Sequence, residues 1–409
     1  MRKLKQLVIL GAGHAGSSAA ISAASHLNQL NKENEVQITI INQSPNLTIR
    51  PRLYEYELEQ TQVPLQQFLQ PLNVTLLTAS VTNIDLITQT VSYQQAQSLH
   101  NLSYDALIVA LGSQLVHPNI AGIDKTCNID SYNAALTFRD DLVKALSHTK
   151  KPIKIAILGG GITGVELATE LPVTFKKVAK EYGVQFPEPT IYLLDRNIIS
   201  KNMGLAIENE IQQALDMANI HCINNASINN ITDNNIIYNE TASLNADFIV
   251  STLGLHANNV ATQLSQPMDN LGRVYVNEYL QLPNYLNCFC AGDIAHAKPD
   301  ESHEPVMSCQ QGRPQGRYAG FNAISFLCNQ AMQAYSQQQY VTCIDLGAYG
   351  AVYTEGWERK LIKSGLEAKK IKQHINQERI YPPVTQDKNK LLEAGALEFI
   401  SPLNSQEER

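Results

Sequence analysis

Apolar and polar positions along the chain follow two alternating periods, and this pattern predicts strands and helices in alternation. Residues 4–10 form a short apolar run of strand type, and a helix of small residues is expected to follow it. A second strand is predicted at 36–41. The same order returns later, with strands at 153–158 and 190–194 around a helix that ends near Lys180. Each repeat is a β-α-β unit, and two such units predict an α/β chain with two doubly wound, Rossmann-like domains.

The rest of the pattern predicts additions to these two units and a separate C-terminal region. The further predicted elements are an antiparallel addition (74–93), buried strands (106–111 and 287–291), a small-residue helix (about 315–329), β-like residues (340–353), a basic amphipathic helix (357–375) and a polar tail (401–409). The basic helix favours either contact with an anionic membrane surface or packing on the first domain with a solvated lysine face.

Composition and charge narrow the classes of function. A chain of 409 residues with 44% hydrophobic and 17% charged residues is typical of a globular protein with more than one core. The net charge of −7 argues against nucleic-acid binding. Because no run of 18 apolar residues occurs, we expect a soluble, cytoplasmic protein. Seven cysteines, an odd number without a Cys-x-x-Cys, indicate reduced thiols and no metal site.

Two Gly-x-Gly-x-x-Gly motifs stand directly after predicted strands and open predicted helices. Their glycines are Gly11, Gly13 and Gly16 in the first motif and Gly159, Gly161 and Gly164 in the second. In such a turn the first glycine permits a tight bend, the second lets the backbone approach a pyrophosphate, and the third lets the helix pack on the strand. A single motif of this kind is a weak signal, but two in matching context predict two dinucleotide sites.

The residue at the end of the second strand of each unit indicates which dinucleotide binds. Asp195 holds this position in the second unit, and an acid there favours NADH because it repels the 2′-phosphate of NADPH. Arg196 follows and weakens that discrimination. Asn42 holds the position in the first unit, where it can hydrogen-bond a ribose without charge.

Four segments together resemble the FAD-dependent pyridine nucleotide–disulfide oxidoreductase superfamily. They are residues 11–16, 104–112, 159–166 and 291–293. The resemblance implies an FAD-binding domain in two parts, 1–115 and 273–335, with an NAD(H)-binding domain inserted at 150–272. Residues 336–409 would form a C-terminal region, a candidate for membrane-surface or dimer contact. The further cofactor-contacting residues that it implies are Val81, Ala110, Gly112, Gly254, Gly292 and Asp293, the last at the ribityl chain of the flavin.

Within this superfamily, three stretches are similar to the alternative (type II) NADH:quinone oxidoreductases. The stretch 50–55 implies that Arg50, Pro51 and Leu53 lie along the flavin. The stretch 164–168 implies that Glu166 lies beside the nicotinamide, although a solvated acid in the first helical turn is the alternative. The stretch 307–316 resembles the quinone-side helix start and implies catalytic roles for Gln310 and Gln315, although it departs from the commonest form of that motif.

These features together predict an enzyme that passes a hydride from NADH to FAD and then electrons to a quinone or other small acceptor. Redox cysteines are not expected to take part, because residues 30–60 and 130–220 contain no cysteine. Two alternatives stay open: an NAD(P)H-dependent reductase of a ferredoxin- or rubredoxin-type protein, and a slow redox sensor of the apoptosis-inducing-factor type. A peripheral position on the inner face of the cell membrane and a homodimer are further possibilities of the same hypothesis.

Overall fold

The structure is a computed structural model that describes residues 4–397. Its helices are α1 (His14–Gln29), α2 (Gln66–Leu69), α3 (Tyr132–His148), α4 (Ile162–Tyr182), α5 (Leu205–Met217), α6 (Cys309–Cys328), α7 (Gly365–His374) and α8 (Lys388–Ala394). The strands form two large sheets, one of six strands and one of five, and several small sheets.

The strands are, in chain order, β1 (Lys5–Leu10), β2 (Val36–Asn42), β3 (Asn46–Thr48), β4 (Gln62–Pro64), β5 (Thr75–Thr78), β6 (Ser80–Asp85), β7 (Thr90–Gln95), β8 (Ser98–Ser103), β9 (Ala106–Val109), β10 (Ser113–Leu115), β11 (Cys127–Asn128), β12 (Lys154–Leu158) and β13 (Thr190–Leu194). They continue with β14 (Ile220–Ile223), β15 (Ile228–Ile231), β16 (Asn235–Tyr238), β17 (Ala242–Asn245), β18 (Phe248–Ser251), β19 (Leu255–Ala257), β20 (Val274–Tyr275), β21 (Gln281–Leu282), β22 (Tyr285–Cys290), β23 (Ala295–His296), β24 (Val341–Asp345), β25 (Ala351–Glu355) and β26 (Lys360–Ser364).

The first sheet joins segments that are far apart in sequence, in the order β21-β22-β9-β1-β2-β5. All neighbours pair in parallel except β21 and β22. The inner strands are apolar on both faces, and residues 7–10 and 106–109 are fully buried. That burial is what a parallel sheet covered on both sides requires. Helices α1 and α6 pack against each other, with Gly316 and Gly320 placed against the backbone of Ala15 and Ala19.

The second sheet is fully parallel, in the order β11-β18-β12-β13-β14, and comes entirely from residues 127–251. The two chain connections that lead into it and out of it run side by side, because β10 and β19 pair antiparallel. The chain therefore contains two doubly wound dinucleotide-binding domains, the second inserted in the sequence of the first. The numerical domain boundaries given above stay predictions.

The C-terminal region differs from its prediction. A basic amphipathic helix was expected over 357–375, but residues 360–364 form strand β26, and α7 begins only at Gly365. The reason is a nonlocal pairing: β26 hydrogen-bonds to β25 and completes an antiparallel sheet of three strands. The small-residue helix α6 likewise begins at Cys309 and not near Gln315, because the Ser308 hydroxyl accepts a hydrogen bond from the Gln311 N–H and caps the helix.

The structure bears on the predicted polar tail and on membrane-spanning helices only within the described residues. The polar tail at 401–409 lies outside the described residues. Across residues 4–397, no helix has both the length and the apolar character that crossing a membrane demands.

Candidate functional site

The two glycine turns, residues 11–16 and 159–164, have the same geometry. Gly11 and Gly159 have φ angles of +90° and +112°, which side-chain-bearing residues rarely adopt. A Cβ on Gly11 would lie 2.5 Å from the Ala110 carbonyl oxygen, and a Cβ on Gly159 would lie 2.5 Å from that of Thr252. Each turn therefore bends tightly over the end of a neighbouring strand, β9 in the first sheet and β18 in the second.

The other glycines of the two motifs divide into a packed pair and an open pair. A Cβ on Gly16 would lie 1.8 Å from the Gly11 carbonyl oxygen, and one on Gly164 would lie 1.9 Å from that of Gly159. A Cβ on Gly13 or Gly161 would instead meet no atom within 4 Å. Within each motif, only the middle glycine, Gly13 or Gly161, faces free space at the N-terminus of the following helix. A pyrophosphate fits there, and a side chain at that position would displace the pyrophosphate.

The residues at the ends of β2 and β13 are also equivalent. The Asn42 side-chain oxygen accepts a hydrogen bond from the Ala12 N–H at 2.9 Å, and an Asp195 carboxylate oxygen accepts one from the Gly160 N–H at 2.8 Å. Both side chains are thus fixed beside their glycine turns, where ribose hydroxyls bind in dinucleotide folds. Only the second of the two positions carries a negative charge.

Three segments that the sequence analysis treated separately meet at Asp293. The Ser113 hydroxyl donates to the Asp293 carboxylate at 2.6 Å and accepts from the Arg50 guanidinium at 2.9 Å. Arg50 also forms an ion pair with Asp130. Burial raises the pKa of Asp293, and the Ser113 hydroxyl and the Arg50 charge offset part of that rise. The turn after β22, the connection after β9 and the loop before Pro51 therefore lie together.

The remaining predicted cofactor residues lie in turns and strand ends of both large sheets and in the strand β6. Pro51 and Leu53 belong to the short turn that Arg50 begins, and Leu53 is buried. Ala110, Gly112, Gly254 and Gly292 follow the ends of β9, β18 and β22. Val81 lies on β6, two residues beyond Ala79, whose N–H donates to the Asn42 carbonyl at 2.8 Å.

Glu166, on the first turns of α4, is buried against the C-terminal region. Its side chain is only 5% exposed, and one carboxylate oxygen accepts from the Lys372 ammonium at 2.7 Å and from the Asp345 N–H at 3.0 Å. Burial raises the pKa of Glu166, and Lys372 offsets only part of that rise. Burial alone would lower the pKa of Lys372, but Glu166 outweighs it and the pKa is raised. The ammonium therefore keeps its proton, and Glu166 is the member of the pair that can change charge.

Lys372 was missed as a site residue, because the sequence analysis counted it among the basic residues of a solvated face. The available signal was its spacing. Lys372 follows Ala368 by four residues, so both lie on the same side of α7, and that is the side that is buried.

A second acid on α4 extends this buried cluster. Glu170 lies one turn after Glu166 and is 7% exposed. Burial, and next the charge of Asp345, raise the pKa of Glu170 to about 7. Asp345 itself accepts from the Lys369 ammonium at 2.5 Å and from the Tyr54 hydroxyl at 3.3 Å. Two lysines of α7 therefore meet three carboxyl groups in one largely buried cluster.

The start of α6 places three glutamines in different surroundings. Gln315 is buried, and its side-chain oxygen accepts from the Gly292 N–H at 2.7 Å. Gln310, predicted to have a catalytic role at the quinone side, lies against the backbone of Val341: in the amide orientation that satisfies both groups, its nitrogen donates to the carbonyl at 2.8 Å and its oxygen accepts from the N–H at 2.9 Å. This pairing joins α6 to the C-terminal sheet and occupies both atoms of the amide, so Gln310 is replaced as a candidate site residue.

Gln311 is the better candidate. It is 1% exposed, its oxygen accepts from the Val306 N–H at 2.6 Å, and its amide nitrogen has no hydrogen-bond partner among the described residues. A buried donor without a partner costs free energy unless a ligand or water satisfies it.

The cysteines and the potential metal ligands were also located. All seven cysteines are free thiols, and burial raises the pKa of Cys309, which disfavours its reactive thiolate. No group of three or more histidines, cysteines or acids able to hold a metal ion occurs within residues 4–397.

Comparisons with known proteins agree with this geometry. A model of the pyridine nucleotide-disulphide oxidoreductase family matches residues 5–316. An NADH dehydrogenase-like protein of Mycobacterium tuberculosis is 36% identical over 96% of this chain and 98% of its own length. A demethylphylloquinone reductase of Synechocystis is 26% identical over 85% of this chain and 86% of its own. In fold, the chain is similar to NDH2 from Plasmodium falciparum, solved in complex with NADH, with a TM-score of 0.78, 15% identity, and coverage of 95% and 97%.

Proposed function

This chain belongs to the pyridine nucleotide-disulphide oxidoreductase family, and from that premise we propose that it takes a hydride from NADH onto FAD and passes the electrons to a quinone. The observation that carries the proposal is the pair of equivalent glycine turns, each open to a ligand only at its second glycine, Gly13 or Gly161. The chain is an oxidoreductase of the NADH dehydrogenase-like kind; the identity of the flavin, the preference for NADH and the quinone acceptor are the parts proposed.

Each cofactor would be held by its own set of residues. The first glycine turn and Asn42 would bind the pyrophosphate and ribose of FAD, while Gly292 and Asp293, with Arg50, Pro51 and Leu53 opposite, would border the flavin. The second glycine turn and Asp195 would bind NADH. A bound flavin accepts a hydride and releases electrons without a protein nucleophile, so the work of the chain is to bind and orient both cofactors and to exclude competing reactions.

The preference for NADH would rest on Asp195. Its carboxylate is fixed at the ribose position by the Gly160 N–H at 2.8 Å and the Asn197 N–H at 2.7 Å, so it is held where a 2′-phosphate would lie. Replacing Asp195 with alanine should lower the ratio of kcat/KM for NADH over NADPH. An unchanged ratio in Asp195→Ala would assign ribose recognition to other residues.

Glu166 and Lys372 would act in the NADH half-reaction. Glu166 lies two residues after Gly164, in the first turns of α4. The carboxylate–ammonium pair can hold or release a proton at the Glu166 oxygen, since Lys372 stays charged. We expect Glu166→Gln to slow flavin reduction while the flavin content stays intact, and normal reduction kinetics would reduce Glu166 to a structural role.

The acceptor would be bound near the start of α6. Gln311 offers a buried amide donor without a partner, and Gln315, anchored on the Gly292 N–H, places the helix beside the flavin-bordering turn. A quinone carbonyl can accept such a hydrogen bond. No redox cysteine takes part in this scheme.

A lipid-soluble acceptor would require contact with a membrane surface, and the C-terminal region offers one. Ile362 and Leu366 are 41% and 70% exposed, and the lysines at 360, 363 and 370, near them in sequence, are exposed too. Exposed apolar side chains accompanied by lysines suit an anionic bilayer surface. This arrangement would place the protein peripherally on the inner face of the cell membrane; a homodimer stays a prediction.

The acceptor is tested by steady-state turnover with NADH and three acceptors: a short-chain quinone, a ferredoxin-type protein and oxygen. We expect the quinone to support the largest kcat/KM, and Gln311→Met to raise its KM while Gln310→Met does not. Faster turnover with the protein acceptor would favour a reductase of an iron–sulfur protein. Turnover that stays slow with all three would favour a sensor.

A further inference from the structure

Glu166 is the inner member of a cluster of buried acids and lysines that extends along α4 towards the protein surface. Glu170 lies four residues further along the helix, so the two carboxyl groups project from the same side of α4. The Lys177 ammonium lies 3.8 Å from the Glu170 carboxylate and 2.9 Å from that of Glu57, and the Lys177 and Glu57 side chains are 37% and 44% exposed. Glu170 therefore lies at the end of the cluster that is nearest to water.

The other acids around Glu170 already have close donors. The Asp345 carboxylate accepts from the Lys369 ammonium at 2.5 Å, and the Glu55 carboxylate accepts from the Arg52 guanidinium at 2.6 Å. The ammonium beside Glu170, at 3.8 Å, is beyond hydrogen-bond distance. Glu170 is therefore held less firmly in its charged form than these two neighbours.

The surroundings of Glu170 bring its proton equilibrium close to neutral pH. Burial raises the pKa of Glu170 to about 7, and the negative charge of Asp345 is the next largest cause. The charged groups that act on Glu170 come from the C-terminal sheet, from α7, from α4 itself and from the segment after Arg52; they are Asp345, Lys369, Lys177 and Glu55. A carboxyl group with a pKa near the ambient pH can both give and take up a proton during turnover.

Tyr54 places a neutral hydroxyl in the same cluster. The hydroxyl donates to the Asp345 carboxylate at 3.3 Å and accepts from the Asn376 amide at 3.2 Å. Burial, and next the charges of Glu166 and Asp345, raise the pKa of Tyr54, so the hydroxyl keeps its proton. Because a hydroxyl both donates and accepts hydrogen bonds, it can pass a proton between two acids.

We propose that Glu170 is the residue through which a proton from water enters this cluster and reaches Glu166 in each turnover. The inference rests on the proposed function and deepens it. NADH supplies two electrons and one proton as a hydride, whereas reduction of a quinone to a quinol takes two electrons and two protons, so the second proton must come from water.

The proposed step moves a proton and no electrons. The proton leaves the Glu170 carboxyl group, passes by way of the Tyr54 hydroxyl and binds to the Glu166 carboxylate, and water then returns a proton to Glu170. Only O–H bonds break and form. Glu170 acts through Glu166, so it is a positioning residue and not a catalytic residue.

Infrared spectroscopy of the oxidised, flavin-loaded protein tests the protonation of Glu170 without any turnover. The wild type should show a band of a protonated carboxyl group that disappears with a midpoint near pH 7. Glu170→Gln should lack that band. Glu57→Gln, which removes a more exposed acid that contacts the same lysine, is the matched control and should keep it. A band that titrates unchanged in Glu170→Gln would overturn the proposal.

The pH profile of quinone reduction tests what that proton does. With NADH and a short-chain quinone, kcat of the wild type should fall as pH rises through about 7, because Glu170 loses its proton. In Glu170→Gln, kcat at pH 6 should be at least tenfold lower and should show no such fall, whereas Glu170→Asp, which keeps an acid, should restore both. Glu57→Gln should follow the wild type, and equal flavin content shows that each variant is folded.

A pH profile of Glu170→Gln that matches the wild type would leave Glu170 with a structural role alone. Failure of the proposed function has a separate signature: the wild type would reduce no quinone, although its carboxyl band would still titrate and would still be absent from Glu170→Gln.

Discussion

At the scale of single residues, the buried ionisable groups of the site form hydrogen bonds and ion pairs with residues that are distant in sequence. Lys372 lies 206 residues from Glu166, and Asp345 lies 179 residues from it. Burial of a carboxyl group favours its neutral form, so each of these acids depends on its cation to stay charged. The sequence indicated Glu166 through its place after the second glycine turn. It could not indicate the ion pair, because that contact exists only once the C-terminal region has packed on α4.

Glu170 should make stability depend on pH in a direction opposite to that of most acids. Its pKa of about 7, against an ordinary 4.5, means that the folded chain binds the proton more tightly than the unfolded chain. The stability this contributes is therefore full below about pH 4.5 and is lost as pH rises towards 7. Glu170→Gln should increase the free energy of unfolding at pH 8 by up to about 3 kcal/mol, and the melting temperature should rise with it. At pH 5 the substitution should change the melting temperature little.

The matched control for this prediction is Glu57→Gln. Glu57 contacts the same lysine as Glu170, since the Lys177 ammonium lies 2.9 Å from Glu57 and 3.8 Å from Glu170, but the Glu57 side chain is 44% exposed whereas that of Glu170 is 9% exposed. Its substitution should leave the melting temperature nearly unchanged at both pH values. A melting temperature of Glu170→Gln that equals the wild type at pH 8 would mean that the buried carboxyl carries no such penalty.

At the scale of elements, the sequence predicted the strands and turns that depend on neighbouring residues, but not the element boundaries that depend on caps or on pairing with distant strands. The strands β12 and β13 and the two glycine turns follow from apolar runs and glycine spacing, which act over a few residues. The start of α6 depended on the Ser308 cap, and β26 depended on pairing with β25, a strand that the sequence did not separate from its neighbours. The same limit explains the choice of Gln310 over Gln311, because only packing shows which amide is already occupied.

The two glycine turns should respond separately to substitution. Gly13 and Gly161 have φ angles of −68° and −74°, which valine tolerates, and an added side chain meets no protein atom at its Cβ. Gly13→Val should therefore fold but lose most of its flavin. Gly161→Val should keep the flavin and raise the KM for NADH at least tenfold. Absorbance spectra of the purified variants and steady-state kinetics give both readouts.

A third variant shows that this effect is specific to the open position. Gly16→Ala should fail to fold, since its Cβ would lie 1.8 Å from the Gly11 carbonyl oxygen. Full flavin occupancy in Gly13→Val would remove the first turn from the cofactor site.

At the scale of the whole molecule, the C-terminal region does more than extend the chain. It closes over Glu166 through Lys372, it pairs with α6 through Gln310 and Val341, and it presents Ile362 and Leu366 outward. The same region therefore contacts Glu166 on its buried side, and on its exposed side it would contact the membrane. The coarse α/β architecture was predictable because both glycine units lie in continuous sequence, whereas this closing role was not.

Membrane contact is checked by flotation with vesicles of phosphatidylglycerol. The double variant Ile362→Ser with Leu366→Ser should lose most of the binding seen for the wild type, because the apolar anchors are gone while the lysines remain. Ile87→Ser, a change at a residue that is 85% exposed in another part of the fold, should bind normally. Equal flotation of all three proteins would exclude this surface as the contact.

The most direct test of the electron-transfer account is anaerobic stopped-flow spectroscopy of the flavin-loaded protein in two steps. NADH is mixed first, and the visible absorbance of the flavin should fall within the time of one turnover. A short-chain quinone is mixed second, and the absorbance should return faster than it does with oxygen at the same concentration. A flavin that NADH does not reduce, or that the quinone reoxidises no faster than oxygen does, would contradict the account.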